Sequence, residues 1–149
     1  MIKENYINKF RKKIKENGLK KSKQREEVVN IFIEQENHID AESLYEKIKK
    51  KHPKIGHTTV YRTLKLLCDL EMAISHSFFN NMAFFEPIID KSTHHDHFIC
   101  TNCKEIQEFE NEEIEKLQSQ VAKENGFKMT RHILNIYGIC KECLDKEEK

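Results

Sequence analysis

Two pairs of cysteines constrain the fold of this chain most strongly, because thiols that meet at one point fix which distant segments must lie together. Cys100 and Cys103 form one C-x-x-C pair, and Cys140 and Cys143 form the second. The short spacing lets both sulfurs of a pair reach one ion, and two pairs complete the tetrahedral thiolate shell that suits zinc. The sequence therefore predicts a closed, structural Zn²⁺ site that joins the two pairs.

The same thiols have an alternative interpretation, as two redox pairs or as four reduced cysteines. A thioredoxin-like site has one such motif near a βαβ unit, and no βαβ pattern is evident in this sequence. The fifth cysteine, Cys68, follows Leu67 near the end of a predicted helix and is interpreted as a small buried hydrophobe.

Charge is divided unevenly between the two halves of the chain. Residues 1–68 contain 17 Lys and Arg against 9 Asp and Glu, a net +8, whereas residues 69–149 contain 9 against 16, a net −7. A basic half next to an acidic one suggests a unit that binds a polyanion, above all nucleic acid, joined to a unit with another task. The alternative is a solvated surface with no partner.

The first 86 residues show a helical period in four segments, followed by an alternating pattern. The predicted helices are 3–16, a second capped by Ser22, Ala41 to about Lys51 capped by Asp40, and a fourth capped by Thr58 that runs to about Leu70. Strands on either side of Asn80-Asn81 predict a β-hairpin, since Asn tolerates positive φ. This order is typical of a winged helix-turn-helix whose fourth helix lies in the major groove of DNA. An ordinary amphipathic surface helix is the alternative for that fourth segment.

The rest of the chain predicts a small α/β domain, so the fold class is α+β. Two short strands surround the first cysteine pair, a helix over 111–125 is closed by Gly126, and a strand runs from Lys128 to Tyr137. We predict a DNA-binding domain over 1–86, a hinge over 87–93 and a metal-binding domain over 94–149.

A histidine-rich run immediately precedes the first cysteine pair. Along a strand, alternate residues share a face, so His95 and His97 point one way while His94 and Asp96 point the other. The run therefore predicts two half-sites that need partners from elsewhere, and a solvated polar turn is the alternative. The candidate partners are His38, Glu86, Glu108, Glu115 and His132, and spacing alone does not decide which joins which face.

Taken together, these segments resemble the ferric uptake regulator (Fur) family of metal-dependent repressors, over a stretch from about Gly18 to Cys143. The segments that carry the resemblance are Gly18-Leu19, Asn37-His38, residues 41–45, Thr59-Val60-Tyr61-Arg62, the run from His94 to Cys103, residues 106–109 and the terminal Cys140–Cys143. As a set they are far more specific than any single ligand pair.

The resemblance implies a winged-helix DNA-binding domain joined to a dimerisation domain, with three metal sites. The implied ligands are Cys100, Cys103, Cys140 and Cys143 for the structural zinc; His38, Glu86, His95, His97 and Glu108 for the regulatory metal; and His94, Asp96, Glu115 and His132 for an auxiliary metal. One ion held by ligands from both domains would fix the angle between the recognition helices of a dimer.

The resemblance further implies a repressor that is not an enzyme, with Fe²⁺ as corepressor and Mn²⁺ or Zn²⁺ as alternatives. Its partners would be an AT-rich palindromic double-stranded DNA operator and a second copy of the chain, with dimer and tetramer both left open. No apolar run approaches the roughly 20 residues of a membrane span. The charged N-terminus lacks a signal-peptide pattern, so we expect a cytoplasmic protein.

Particular residues distinguish branches within this family. Peroxide-sensing members typically carry aspartates where this chain has Glu86 and Glu108, and an asparagine in place of Arg62. Zinc-responsive members typically add a cysteine to the sensing site, and Cys68 matches no ligand position. An iron-responsive regulator is therefore expected, with the peroxide-sensing and zinc-responsive types as alternatives. A zinc hydrolase built on His95 and His97 is the alternative outside regulation, but five ligands would fill the position that a catalytic zinc leaves open.

The predicted DNA contacts lie on the fourth helix and near the start of the second. Tyr61 and Arg62 are expected nearest the bases, because Tyr can contact a thymine methyl and Arg can bind guanine or enter a narrow minor groove. The remaining predicted contacts are Thr59, Lys65, Lys20 and Arg25. The alternative for the lysines is that their side chains are solvated and do not contact DNA.

Overall fold

The computed structural model describes residues 1–35, 38–79, 81–89 and 95–147. The chain divides into two compact units, Met1–Lys91 and Ser92–Lys149. Each unit combines helices with a three-stranded sheet, which confirms the α+β class. No helix among these residues is long and apolar enough to cross a membrane.

The first unit contains four helices, each with an apolar face on one core. They are α1 (Ile2–Glu16), α2 (Lys23–Phe32), α3 (Ala41–Lys51) and α4 (His57–Asp69). Ser22 caps α2 by accepting from the Arg25 N–H, and Asp40 caps α3 by accepting from the Ser43 N–H, as the sequence predicts. Predicting Thr58 as the cap of α4 was wrong. The Gly56 carbonyl already accepts from the N–H groups of Thr59 and Val60, so the helix begins at His57.

The helices are followed by a hairpin, as a winged helix-turn-helix requires. Strands β2 (Ala73–Phe79) and β3 (Met82–Pro87) pair antiparallel, and the two-residue strand β1 (Ile39–Asp40) adds to β3, in the order β1-β3-β2. Asn81 has a φ of 60°, the left-handed conformation expected of Asn at a turn. Asn80, the other residue of the predicted turn, lies outside the described residues.

The core of the first unit sits between the helices and this sheet. Phe32, Leu44, Leu64 and Phe85 are buried in it, and α1 adds Tyr6, Ile7, Phe10 and Ile14. The Tyr6 hydroxyl donates to the Met72 carbonyl, and burial raises the pKa of this phenol. The basic N-terminal helix is thus an integral part of the unit.

The second unit is built on strand β4 (Asp96–Cys100). Strand β5 (Ile106–Phe109) pairs with it antiparallel and strand β6 (Asn135–Gly138) pairs with it in parallel, and helices α5 (Glu112–Glu124) and α6 (Lys141–Glu147) complete the unit. Predicting a strand from 128 was wrong over most of its length. The strand begins only at Asn135, which pairs with His97, and the residue before it, Leu134, accepts from the His97 N–H through its carbonyl.

The apolar face of α5 is not covered by any described element of the second unit. Leu117 and Val121 are 60% and 55% exposed, and Phe127, just beyond the helix, is 75% exposed. Asn111 caps the helix by accepting from the N–H groups of Glu113 and Ile114, so the element is well formed although its face lacks an internal partner. The periodicity predicts the helix correctly, and the surface it leaves is apolar.

Candidate metal centres and nucleic-acid interface

Four cysteine sulfurs of the second unit converge on one point. Their Sγ atoms all lie within 4.8 Å of one another. The Cys100 and Cys143 sulfurs are 3.9 Å apart, and those of Cys103 and Cys140 are 3.7 Å apart. A tetrahedron with Zn–S bonds of about 2.3 Å has edges of about 3.8 Å. The arrangement therefore fits a single tetrahedral ion, whereas two separate redox pairs would not need to meet.

Backbone N–H groups stabilise negative charge on one sulfur of this cluster. The N–H groups of Cys103 and Cys140 point at the Cys100 sulfur, at 3.5 and 3.3 Å, and lower the pKa of that thiol to about 6. Cys143 has the opposite shift, to a pKa of about 12, because its thiol hydrogen-bonds to Cys140 and is desolvated by burial. The cluster thus stabilises one thiolate by itself and retains protons on other thiols, which a divalent cation would displace.

The odd cysteine lies apart from this cluster, in the first unit on α4. Cys68 is half-buried and packs against the core, and burial raises the pKa of its thiol. Cys68 is therefore a packing residue, as its sequence position predicts, but it is half-buried and not fully buried.

A second group of ligand atoms in the second unit joins a strand, a helix and the segment before β6. His132 Nε2 lies 3.1 Å from Glu115 Oε1 and 3.9 Å from Asp96 Oδ1. The three residues place ligand atoms within 4.8 Å of one another, and Asp96 is buried. They are three of the four predicted auxiliary ligands; the fourth, His94, lies outside the described residues.

The remaining ligands of the second unit lie around the start of β4. His97 is the cross-strand partner of Glu108, and His95 Nε2 lies 3.5 Å from Glu108 Oε1. The His95 and His97 rings meet edge to face with centroids 5.1 Å apart. The alternation of β4 places His97 with Glu108 while Asp96 contacts His132, and these are the two directions that the sequence predicts.

The first unit contributes its own imidazole and carboxylate pair. His38, directly before β1, places Nε2 at 2.5 Å from Glu86 Oε2, near the end of β3. Both side chains are largely buried, at 4% and 14% exposure. Glu86 Oε1 contacts a third residue, His76 of β2, whose Nε2 lies 3.4 Å away.

Sequence reasoning missed His76, which looks like one more polar residue of an alternating strand. The hairpin register supplies the signal that could have identified it. Ile74 pairs with Glu86 and His76 pairs with Phe84, and paired residues share a face with their neighbours two positions along. His76 and Glu86 must therefore be diagonal neighbours on one face of the hairpin.

The polar face of α4 forms a candidate nucleic-acid interface. Tyr61, Arg62 and Lys65 are exposed, opposite the buried Val60, Leu64 and Leu67. Two further predicted contacts are less accessible. Thr59 is half-buried, with its carbonyl accepting from the Thr63 hydroxyl, and Arg25 is half-buried in the first turn of α2; Lys20 is exposed. The structure therefore favours the first three residues and Lys20 as groups that can reach a partner.

A side chain at the start of α4 contacts two side chains of α3. His57 Nε2 lies 2.9 Å from Glu42 Oε2, and the His57 ring meets Tyr45 edge to face at 5.4 Å. Both side chains are substantially exposed, so this contact adds little stability. Its geometric effect is to hold the N-terminus of the exposed helix against its neighbour.

A winged helix-turn-helix with an exposed basic helix, followed by a unit with a four-thiolate cluster and grouped imidazoles and carboxylates, defines a class of metal-dependent DNA-binding regulators. The ferric uptake regulator family model matches residues 16–137. A ferric uptake regulation protein of Campylobacter jejuni subsp. jejuni is 42% identical over 145 residues, covering 96% of this chain and 91% of that protein. The chain belongs to the ferric uptake regulator family.

Solved structures agree with this membership. The Helicobacter pylori ferric uptake regulator, for which three functional metal binding sites are described, matches with a TM-score of 0.86 at 34% identity, over 95% of this chain and 93% of that one. The Francisella tularensis regulator, solved with iron, matches with a TM-score of 0.75 at 32% identity, over 85% and 96% of the respective chains.

Proposed function

We propose that this protein is an iron-responsive transcriptional repressor in which one Fe²⁺ ion joins the two units. The observation that carries the proposal is that each unit presents its own group of neighbouring imidazole and carboxylate ligands, of which Glu108 alone is exposed. The first unit offers His38 and Glu86, and the second offers His95, His97 and Glu108. An ion that recruits both sets would restrain the recognition helix relative to the second unit.

The ligand chemistry fits a divalent first-row metal. Imidazole nitrogens suit Fe²⁺, Zn²⁺ and Cu²⁺, and carboxylates suit Mn²⁺ and related harder ions, so a mixed set accommodates Fe²⁺ with Mn²⁺ or Zn²⁺ as substitutes. The F. tularensis relative with iron supports this assignment. The ion itself supplies coordination bonds between the units, while the chain's own residues read the DNA.

We propose separate roles for the other two ligand groups. The four cysteines hold a structural Zn²⁺, since a closed thiolate shell leaves no open position for sensing. Asp96, Glu115 and His132 hold an auxiliary ion, to which the predicted ligand His94 would add. Three described sites in the H. pylori relative support this division.

The second unit is proposed to form the homodimer. Exposed apolar residues on and after α5, such as Leu117 and Phe127, form a surface of the kind that protein interfaces bury. A two-fold dimer presents two α4 helices, so its DNA operator is expected to be a palindrome with matching half-site spacing. We expect bound metal to bring the two helices to that spacing, and titration of DNA binding with and without metal tests this.

Metal-dependent DNA binding is the direct test of this proposal. Zinc-loaded protein is titrated onto a fluorescent AT-rich palindromic duplex under anaerobic conditions, with no further metal, with Fe²⁺ and with Mn²⁺. We expect Fe²⁺ to tighten binding by about 5–150-fold, the usual range of coupling between two sites. A scrambled duplex of the same composition is the control. Equal affinity with and without metal would refute the sensing role.

Arg62→Ala is expected to weaken specific DNA binding. Loss of a base contact costs about 1–3 kcal/mol and should relax the sequence preference, whereas Lys65→Ala should weaken all duplexes alike and reduce the salt slope by about 1. Lys116→Ala is the matched control, because Lys116 is an exposed lysine on α5 whose ion pair, among the described residues, is with the exposed Glu112. Anisotropy titrations over a range of salt concentrations separate the cases, and an Arg62→Ala protein with unchanged specificity would exclude base contact.

A further inference from the structure

His76 is a buried histidine that none of the three ligand groups includes. Its ring is 7% exposed and stacks on Phe78, with centroids 5.2 Å apart and planes 7° from parallel. Phe78 also meets His38 edge to face at 5.4 Å, and the two histidine rings lie 5.1 Å apart. The three rings therefore form one cluster in the first unit, and its two histidines both contact the Glu86 carboxylate.

The carboxylate of Glu86 is contacted separately at each oxygen. Oε2 lies 2.5 Å from Nε2 of His38, which is itself a proposed ligand of the regulatory metal. Oε1 lies 3.4 Å from Nε2 of His76. A carboxylate contacted at one oxygen alone can rotate about its last side-chain bond. A second contact on the other oxygen limits that rotation, and in this buried pocket it also supplies a polar neighbour for the charge.

We propose that His76 is a positioning residue for Glu86, and this rests on the proposed regulatory function. Its Nε2 lies 3.4 Å from Oε1, the oxygen that is not beside His38, so it restrains the carboxylate and directs Oε2 toward the metal without being a ligand itself. Partners of this kind typically contribute 10–100-fold to metal affinity. The consequence is that metal affinity depends on a residue of the hairpin as well as on the ligands.

The test uses Co²⁺ as the probe, added to full-length protein whose thiolate site holds Zn²⁺. His76→Phe keeps a ring beside Phe78 but removes the polar contact, and His76→Gln provides an amide N–H that can donate to Oε1. We expect the Phe variant to bind Co²⁺ about 10–100-fold more weakly, and the Gln variant to recover most of that loss. At saturation both should give the wild-type visible absorption spectrum, since the ligands are unchanged.

Three results would overturn the positioning role. They are wild-type affinity in the Phe variant, no recovery in the Gln variant, and a changed Co²⁺ spectrum, which would make His76 a ligand. Glu86→Gln separates this inference from the proposed function. If that substitution leaves Co²⁺ affinity unaffected, the regulatory site itself is misassigned; if it weakens binding while His76→Phe does not, only the positioning role fails. Thermal unfolding of each variant checks that the first unit remains folded.

Discussion

Cys143→Ser is expected to release the structural zinc and to unfold the second unit. Among the described residues of that unit, the buried apolar side chains are Ile99, Cys100 and Cys143, so two of the three are proposed zinc ligands. So small a core cannot offset the conformational entropy of the chain without help. Structural Zn²⁺ contributes about 10–16 kcal/mol in zinc-finger peptides near neutral pH, which exceeds the stability of most domains.

The measurements are zinc per chain by elemental analysis and backbone protection by hydrogen exchange. Cys143→Ser should fall well below one zinc per chain, with protection lost in β4 and β6 but kept in the helices of the first unit. Cys68→Ser is the matched control, because Cys68 is a half-buried cysteine outside the cluster. A Cys143→Ser protein that stays folded with full zinc would show that the thiolate site is misassigned.

The spacing of the cysteine pairs predicts that all four thiols meet, and their sulfurs do lie within 4.8 Å of one another. Their ligand type, number and spacing define a tetrahedral site before any fold is known. The structure adds the fact that Cys143 lies on α6, a short helix that sequence patterns do not predict because seven residues give too few turns to show a period.

Sequence patterns predict the first unit more completely than the second for a physical reason. Helices α1 to α4 bury their apolar faces within their own unit, so periodicity reports both their existence and their packing. On α5 the same periodicity predicts the helix, but Leu117 and Val121 stay exposed because no described element of this unit covers them. Strand β6 is only as long as its pairing with the short strand β4, from His97 to Cys100. No pattern within the β6 segment itself indicates this limit.

Pairwise contacts between ligands depend on register, which the sequence alone does not fix. Alternation along β4 assigns His97 and Asp96 to different directions, but only the pairing of β4 with β5 brings Glu108 opposite His97. His76 was missed for the same reason, since its proximity to Glu86 follows from the β2–β3 register. Sequence patterns identify residues whose role follows from their own segment, and they miss residues whose role depends on the pairing of strands.

His95→Ala is expected to abolish metal-dependent DNA binding while leaving the structural zinc in place. His95 directly precedes β4, and its side chain is 18% exposed, so its removal should cost the fold less than loss of the fully buried His97. If the ion is held by both units, losing one imidazole weakens the joined state. The stimulation by Fe²⁺, of about 5–150-fold in the wild type, should then fall toward one.

The matched control for this prediction is His52→Ala. His52 also places Nε2 at 3.5 Å from a glutamate, Glu27, and is half-buried, but it belongs to none of the proposed metal sites. It should retain Fe²⁺ stimulation, since a histidine–glutamate contact alone does not couple metal to DNA. The readouts are the Fe²⁺ titration of DNA binding and zinc per chain. Full Fe²⁺ stimulation in His95→Ala would remove this histidine from the sensing site, whereas loss of zinc would show that the substitution acts by unfolding the second unit.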